Sequence, residues 1–214
     1  MSGNIPFERI LKRVEKPGRY SGGEFAEVIK DKAAVKARFA FCFPDTYEIG
    51  MSNLGVRILY GSLNREDDIW CERVYAPWMD MGEQMKRRNM PLYALESGDP
   101  VADFDIVAFT LQYEMSYTNV LYMLELAGIP MLAAERGEDA PIIIGGGPCA
   151  YNAEPIADFF DVFSIGEGEE ALPEFTKLYI KMKAEGRYTK RDFLHEAAKL
   201  EGFYVPSLYD VEYH

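Results

Sequence analysis

From residue 35 onward, short apolar runs alternate with longer segments that carry apolar residues at helical spacing, and this repeat constrains the fold more than any other feature. Each apolar run has the length of a buried strand. Strands that alternate with helices form a mostly parallel sheet through right-handed crossover connections. We therefore predict a doubly wound α/β domain of the flavodoxin-like, Rossmann-like class, with five mostly parallel strands at residues 35–43, 69–75, 104–111, 141–144 and 161–165.

Turn signals and changes in composition divide the chain into three predicted parts. Residues 1–34 are polar and contain turn signals such as Pro17-Gly18, so we expect an N-terminal arm there. Residues 35–185 form the predicted α/β domain. Residues 186–214 are expected to be a linker and the start of another domain.

Capping residues predict where individual helices begin and end. Ser52 can cap the helix that follows the first strand, because its hydroxyl can accept a hydrogen bond from a free backbone amide of the first turn. Gly128, with Pro130 just beyond it, is typical of a helix end. Both signals lie where a doubly wound fold needs the chain to turn.

The composition limits the partners and the compartment of the protein. The formal net charge of −12 repels phosphate backbones, which argues against nucleic-acid binding by this segment. The three cysteines, Cys42, Cys71 and Cys149, are too far apart in sequence for a metal knuckle or a redox motif. The N-terminal residues lack the apolar stretch of a signal peptide, and no run approaches the ~20 apolar residues of a membrane span. We therefore expect a cytoplasmic protein that contacts no membrane.

The loop after the first predicted strand carries the first candidate cofactor-binding residues, Asp45, Tyr47 and Gly50. Their spacing resembles the Asp-x-His-x-x-Gly signature of cobalamin-binding domains, with Tyr47 in the place of the histidine. In that signature the histidine ligates cobalt and the aspartate orients it. A corrinoid bound here would therefore receive no histidine from this loop. The alternative is a strand-to-helix turn in which Asp45 satisfies backbone donors and Gly50 relieves crowding.

Two glycine-rich loops at the same predicted sheet edge supply further candidate residues. Gly145-Gly146-Gly147-Pro148 follows one apolar run, and Gly166-Glu167-Gly168 follows the next. Glycines let the backbone approach a flat ligand closely, whereas the acidic side chains of the second loop disfavour phosphate. A neutral ligand with hydroxyl and amide groups fits better, and ligands of open parallel sheets bind at this edge. The candidate set also includes Thr110 and Gln112, at the end of the third strand.

No set of catalytic residues can be assembled from this sequence. The histidines are His195, on a predicted surface helix, and the terminal His214, so a nucleophile, a base and an orienting group do not occur together. The sequence also contains no Walker loop and no zinc-binding cluster. We therefore predict no catalytic residue and no metal ligand in this chain.

Taken together, these loops resemble the N-terminal domain of cobalamin-binding radical S-adenosylmethionine (SAM) proteins, and more narrowly an uncharacterised subfamily of them. The resemblance extends over nearly the whole chain. The motifs that carry it lie at residues 17–24, 43–55, 145–148, 158–161, 166–170 and 202–209.

The resemblance implies a cobalamin-binding-like module placed ahead of a partial (β/α) barrel. That barrel would hold a [4Fe–4S] cluster through Cys-x-x-x-Cys-x-x-Cys and would bind SAM. This sequence has no such triplet, so we expect the catalytic half outside this chain and no radical chemistry by the chain alone. The parent protein is then expected to be a radical SAM enzyme, for example a methyltransferase, and the barrel is the expected partner of this module.

Two other functions stay open at this point. One is a degenerate module that binds no ligand and only docks the barrel or a partner protein. The other is a flavin or nucleotide module on the same fold, because a fold does not fix its ligand. The absorption spectrum of the purified protein distinguishes a bound corrinoid from a bound flavin.

Overall fold

The computed structural model describes residues 7–210, so residues 1–6 and 211–214, including His214, lie outside the description. The strands are β1 (Ala37–Phe43), β2 (Ile69–Tyr75), β3 (Ile106–Thr110), β4 (Ile142–Gly146), β5 (Val162–Ser164) and β6 (Phe203–Tyr204). The α-helices are α1 (Phe7–Leu11), α2 (Tyr47–Ser52), α3 (Leu54–Asn64), α4 (Met79–Arg88), α5 (Tyr117–Ala127), α6 (Gly168–Ala184) and α7 (Lys190–Ala197). Within the described residues, no helix is both long and apolar enough to cross a membrane.

The strands form one sheet in the order β2-β1-β3-β4-β5-β6. The first five strands are parallel, and their order is the one found in flavodoxin-like folds. The structure therefore confirms the predicted doubly wound α/β fold. In such a sheet the order in which strands are added reverses between β1 and β3. The loops that follow the parallel strands meet at one edge of the sheet, which we call the carboxyl edge.

The predicted number of five strands is wrong, because the described chain contains a sixth. β6 consists of Phe203 and Tyr204, which pair antiparallel with Ser164 and Phe163 of β5. The backbone N–H of Ile165 donates to the carbonyl oxygen of Gly202 at 2.7 Å, which closes the return of the chain onto β5. Two residues are too few to show the alternation that identifies a strand in a sequence.

Both faces of the sheet are covered by helices, which explains why the central strands are apolar on both sides. Alternate side chains such as Phe39 and Ile144 lie in the core beneath α3, α6 and α7. The intervening side chains, such as Phe109 and Ile143, lie in the core beneath α4 and α5. Phe193 and Val205, from the predicted linker at 186–214, are fully buried in the first of these cores. The division of the chain at residue 185 stays a prediction.

The ends of two helices test the predicted capping residues. Asn53, not Ser52, caps α3, since its side-chain oxygen accepts a hydrogen bond from the backbone N–H of Val56 at 3.0 Å. Ser52 is the last residue of α2, and its hydroxyl donates to the carbonyl oxygen of Ile49. The prediction for Gly128 is confirmed, because α5 ends there in the left-handed conformation, at φ 69°.

The predicted N-terminal arm packs along its own domain. Ile10, Val14 and Tyr20 are buried in the core beneath α4 and α5. The Tyr20 hydroxyl accepts a hydrogen bond from the backbone N–H of Trp78 at 3.1 Å, at the start of α4. The arm is therefore part of the folded unit, and its buried residues are held by the same apolar packing as the helices.

The outer edge of β2 is covered by residues 95–96. The backbone N–H of Leu95 donates to the carbonyl oxygen of Arg73 at 2.9 Å, and the N–H of Arg73 donates to Glu96 Oε2 at 2.7 Å. The buried Glu96 carboxylate also pairs with the Arg73 guanidinium at 2.6 Å. The main-chain groups of this edge strand are thus satisfied within the domain.

Candidate functional site

A cleft of about 210 Å³ opens at the carboxyl ends of β3, β4 and β5. Thr110, Gly146 and Ser164 stand in register as neighbours on these strands, so that they face the same side of the sheet. The opposite wall comes from the first two turns of α3 and α6, including Gly55, Leu59 and Glu169. Of the predicted residues, the cleft brings together Thr110, Gln112, Gly145, Gly146, Gly147, Gly166, Glu167 and Gly168.

Two of the glycines are required by the local geometry. Gly147 has a φ of +96°, and a Cβ there would lie 3.1 Å from the carbonyl oxygen of Leu111. A Cβ at Gly145 would lie 2.9 Å from the ring of Phe163. Gly146 differs, because its nearest neighbour would be the Ser164 carbonyl oxygen at 3.7 Å, an ordinary contact. A side chain at Gly146 is therefore compatible with the fold, yet it would occupy the cleft.

The polar groups of the cleft suit a neutral ligand. The hydroxyls of Thr110 and Ser164 are buried at its floor, and Gln112 Nε2 donates to Thr110 Oγ1 at 2.5 Å. α6 begins at Gly168 with no side-chain cap, which leaves first-turn amides for acceptors outside the helix. Glu167 and Glu169 line the same opening and repel anions. The remaining walls are apolar side chains, namely Phe41, Leu59, Ile144 and Leu172.

Three predicted residues, Asp45, Tyr47 and Gly50, do not line this cleft. The hydroxyl of Tyr47 donates to the Glu24 carboxylate of the arm, and its ring packs edge-on against Tyr75 at a centroid distance of 5.6 Å. A Cβ at Gly50 would collide with the Tyr75 ring. The loop therefore has the form of the strand-to-helix turn given as the alternative above.

Asp45 connects this loop to the loop after β3. Its Oδ1 accepts a hydrogen bond from the backbone N–H of Thr46 at 2.7 Å, and its Oδ2 accepts one from the Tyr113 hydroxyl at 2.8 Å. The side-chain amide of Asn119 donates to the carbonyl oxygen of Pro44 at 2.9 Å. These bonds hold the loops after β1 and β3 together across the point where the strand order reverses.

The titration of Tyr47 bears on its use as a ligand. Burial, and next the hydrogen bond to Glu24, raise the pKa of Tyr47 to about 12. Its phenol is therefore neutral at physiological pH and already hydrogen-bonded to Glu24.

Among residues 7–210, no three His, Cys, Asp or Glu side chains come together as a metal site, and His195 is exposed on α7. Pro148 begins a short 3-10 turn beyond the cleft lining.

The Asp158–Asp161 motif has a structural role that sequence reasoning did not identify. Asp161 is buried, and its Oδ2 accepts a hydrogen bond from the backbone N–H of Ile143 at 2.7 Å. Its carboxylate also pairs with Arg136 Nη2 at 3.2 Å and with Lys190 Nζ at 3.1 Å. Asp161 thus joins the start of β4, the loop after α5 and the start of α7.

Sequence reasoning also missed Ser164, Gly55 and Leu59 in the cleft. Ser164 carried a usable signal, because it is the last residue of its strand and occupies the same register position as Thr110 and Gly146. Gly55 ends the motif at residues 43–55 and Leu59 lies in no motif, and neither could be placed in the cleft from the sequence, since their position depends on how α3 packs beside α6. Their contribution to the site is therefore visible only in the folded chain.

Comparison with known proteins identifies the family to which this chain belongs. Residues 55–206 match the model of a family described as "Radical SAM proteins, N-terminal". An uncharacterized protein of Methanocaldococcus jannaschii is 29% identical over 152 residues, which cover 71% of this chain and 28% of that protein. The chain thus matches less than a third of the length of this relative. No solved structure matches significantly. Since the family match covers most of the chain and the fold is the predicted one, the chain belongs to the family of N-terminal domains of radical SAM proteins.

Proposed function

We propose that this chain is the cofactor-binding module of a radical SAM enzyme, and that its cleft binds a cobalamin-type corrinoid without histidine ligation from this domain. The observation that carries the proposal is the cleft after β3, β4 and β5, where glycines, two hydroxyls and an uncapped helix start surround an opening without cationic groups. The family assignment supports the radical SAM part of the proposal.

The residues present suit part of a corrinoid. Such a ligand carries many amide groups and hydroxyls, which Thr110, Ser164 and Gln112 can hydrogen-bond. The three consecutive glycines at the end of β4 and directly after it allow close approach of a large ligand to the backbone. A cleft of about 210 Å³ is smaller than the ~300–1,000 Å³ of usual ligand pockets, so it encloses only a portion of the ligand.

Tyr47 does not fit as a cobalt ligand, because its hydroxyl is bonded to Glu24 and its ring packs on Tyr75. The role that remains for this domain is to hold the ligand by its periphery. When bound, a corrinoid supplies a carrier for a methyl group or a radical. The [4Fe–4S] cluster and SAM belong in this proposal to a radical SAM domain that acts together with this module.

A second candidate function is a degenerate module that binds no cofactor and only docks the radical SAM domain. The packing of the loop after β1 favours it, since Tyr47, which stands in the place of the signature histidine, donates its hydroxyl hydrogen bond to Glu24 of the arm. The two candidates differ in one measurable property, which is the affinity of the cleft for a corrinoid.

The test is a titration with hydroxocobalamin, followed by absorption spectroscopy and calorimetry. It uses this chain and the natural polypeptide that carries it together with a radical SAM domain. We expect binding that falls at least tenfold in Gly146→Val, because the new side chain fills the cleft while its Cβ fits the strand. Gly61→Ala is the matched control, since no atom lies within 4 Å of its added Cβ and Gly61 is outside the cleft. Absence of binding by both polypeptides, or unchanged binding by a folded Gly146→Val, would contradict the proposal.

A further inference from the structure

Met51, near the end of α2, is the one methionine of residues 7–210 whose sulfur accepts hydrogen bonds. The Tyr75 hydroxyl donates to its Sδ at 2.9 Å, and Nη1 of Arg73 donates to the same sulfur at 3.5 Å. A thioether is a weak acceptor, so these two donors have a poorer partner than an oxygen atom would be. Met51 is also partly exposed, so that small solutes can reach its side chain.

The guanidinium of Arg73 lacks an acceptor at the same place. Its Nε pairs with the carboxylate of Glu96 at 2.6 Å, and its carbon lies 4.5 Å from the centroid of the Tyr60 ring. Its Nη2 is buried and has no hydrogen-bond partner within the described residues. A buried N–H group without an acceptor is destabilising, so one more acceptor beside the Met51 sulfur would lower the free energy of the folded chain.

An oxygen atom bonded to Sδ of Met51 would supply that acceptor. Nη2 of Arg73 is attached to the same carbon as Nη1, which already contacts the sulfur, so an oxygen one bond length from the sulfur can accept from this guanidinium. Oxidation of a methionine in a protein core is ordinarily disruptive, because the polar sulfoxide is placed among apolar side chains. At Met51 the donors that a sulfoxide needs are already present.

We propose that Met51 is a site of oxidation by hydrogen peroxide, and that Arg73 and Tyr75 hold the resulting sulfoxide in the folded chain. The sulfur donates an electron pair to one oxygen of the peroxide, so that a sulfur–oxygen bond forms and the oxygen–oxygen bond breaks. The sulfur is thereby oxidised and the peroxide reduced. The proton of the transferred oxygen passes to the departing oxygen, which leaves as water, and the thioether becomes a sulfoxide.

The same donors favour the reaction itself. Negative charge develops on the departing oxygen as the oxygen–oxygen bond breaks, and fixed N–H and O–H donors beside the sulfur stabilise charge at that place. Burial raises the pKa of Tyr75, so its hydroxyl keeps its proton at physiological pH, and the Arg73 guanidinium stays charged. We therefore expect Met51 to react faster than its limited exposure alone allows.

Oxidation of Met51 would act on the loop after β1. The ring of Tyr75 packs edge-on against Tyr47 at a centroid distance of 5.6 Å and lies against Gly50, and both of these residues belong to α2. A stronger acceptor at Met51 therefore fastens α2 more firmly to the end of β2. The inference does not depend on corrinoid binding, because Met51, Arg73 and Tyr75 do not line the cleft.

The test is oxidation of the full chain by hydrogen peroxide, followed over time by mass spectrometry of its peptides. Met90 and Met131 are the matched controls, because they are also partly exposed but have no donor at their sulfur among the described residues. We expect the sulfoxide of Met51 to form at least about fivefold faster than that of either control. A smaller difference in rate would overturn the inference.

The substitution Tyr75→Phe separates the effect of the donors from that of exposure. It keeps the ring that packs on Tyr47 and Gly50 and removes the O–H group that donates to Met51. The oxidation of Met51 should therefore slow, while that of Met90 stays unchanged. An unchanged or faster oxidation of Met51 would mean that the hydrogen bond does not assist the reaction, and it would overturn the inference.

The variants Met51→Gln and Met51→Leu test the stronger acceptor without any oxidant. Glutamine carries a carbonyl oxygen close to the position of the sulfur, whereas leucine leaves the Tyr75 hydroxyl and the Arg73 guanidinium without this acceptor. The melting temperature of Met51→Gln should exceed that of Met51→Leu by at least about 3 °C. An equal or lower melting temperature for Met51→Gln would show that this place does not favour a polar oxygen, and it would overturn the inference.

Discussion

The substitution Asp161→Asn tests whether the buried charges around Asp161 stabilise the domain. Asparagine keeps an oxygen that can accept from the backbone N–H of Ile143, but it removes the charge shared by Arg136 and Lys190. Arg136 retains carbonyl oxygens of neighbouring loops as acceptors, whereas the buried Nζ of Lys190 has no well-aligned hydrogen bond within the described residues. Lys190 is therefore left as a buried cation without its ion-pair partner, since within the described residues its ammonium group pairs with Asp161 and lies beyond ion-pair distance of Glu138, which accepts from its backbone N–H.

The expected loss follows from the burial of these groups. The side chain of Asp161 is 3% exposed and that of Arg136 is 0% exposed, so solvent does not screen the change. Removing one partner of a buried ion pair costs about 3–5 kcal/mol. For a chain of this length each kcal/mol lowers the melting temperature by roughly 2–4 °C, which gives an expected decrease of about 6–20 °C.

The assay is urea and thermal unfolding at pH 7, followed by circular dichroism. Asp158→Asn is the matched control, because Asp158 is exposed and makes no ion pair within residues 7–210, and its effect should stay within about 0.5 kcal/mol. Adding Lys190→Met to Asp161→Asn should recover part of the loss, since it removes the unpaired cation. The reasoning is refuted when the free energies of unfolding of Asp161→Asn and Asp158→Asn differ by less than about 1 kcal/mol.

Other predictions concern the arm and the glycine loops. The hydrogen bond from Arg19 and the nearby Lys16 lower the pKa of Glu48 to about 2. The contacts of Glu48 with these two residues of the arm are therefore intact above about pH 4.5 and weaken as the pH falls toward 2. Acrylamide quenching of tryptophan fluorescence should rise over that range in the wild type and much less in Glu48→Gln. Gly145→Ala should destabilise the domain by about 1–3 kcal/mol in urea unfolding, because its Cβ would crowd the Phe163 ring, and a neutral effect would contradict this steric argument. Gly61→Ala, in the open middle of α3, should instead stabilise by up to about 1 kcal/mol in the same assay.

The parts of the fold that the sequence predicts well are those set by local pattern. Most residues of the parallel strands are apolar because both faces of the sheet are covered, so each strand could be recognised without knowing its partners. Gly128 ends α5 through its own backbone freedom, and this signal is equally local. The same reasoning located the glycine loops of the cleft, since the ends of parallel strands share an edge.

The parts that it does not predict depend on contacts between distant residues. Tyr47 lies outside the cleft with its hydroxyl bonded to Glu24 of the arm, and no local pattern indicates this contact between residues 23 positions apart. Lys190 is buried beside Asp161, although a lysine at the start of an amphipathic helix is ordinarily exposed. β6 exists only because Gly202 returns the chain onto β5, and two residues carry no periodic signal.

The closed edges of the sheet restrict how any further domain can be attached. At one edge, Leu95 and the carboxylate of Glu96 already satisfy main-chain groups of β2, and at the other edge the antiparallel β6 is only two residues long. Neither edge offers the long unpaired ladder that a foreign strand needs. A neighbouring domain must therefore attach through side chains and cannot extend the sheet, so this unit should remain structurally separate in whatever larger protein contains it.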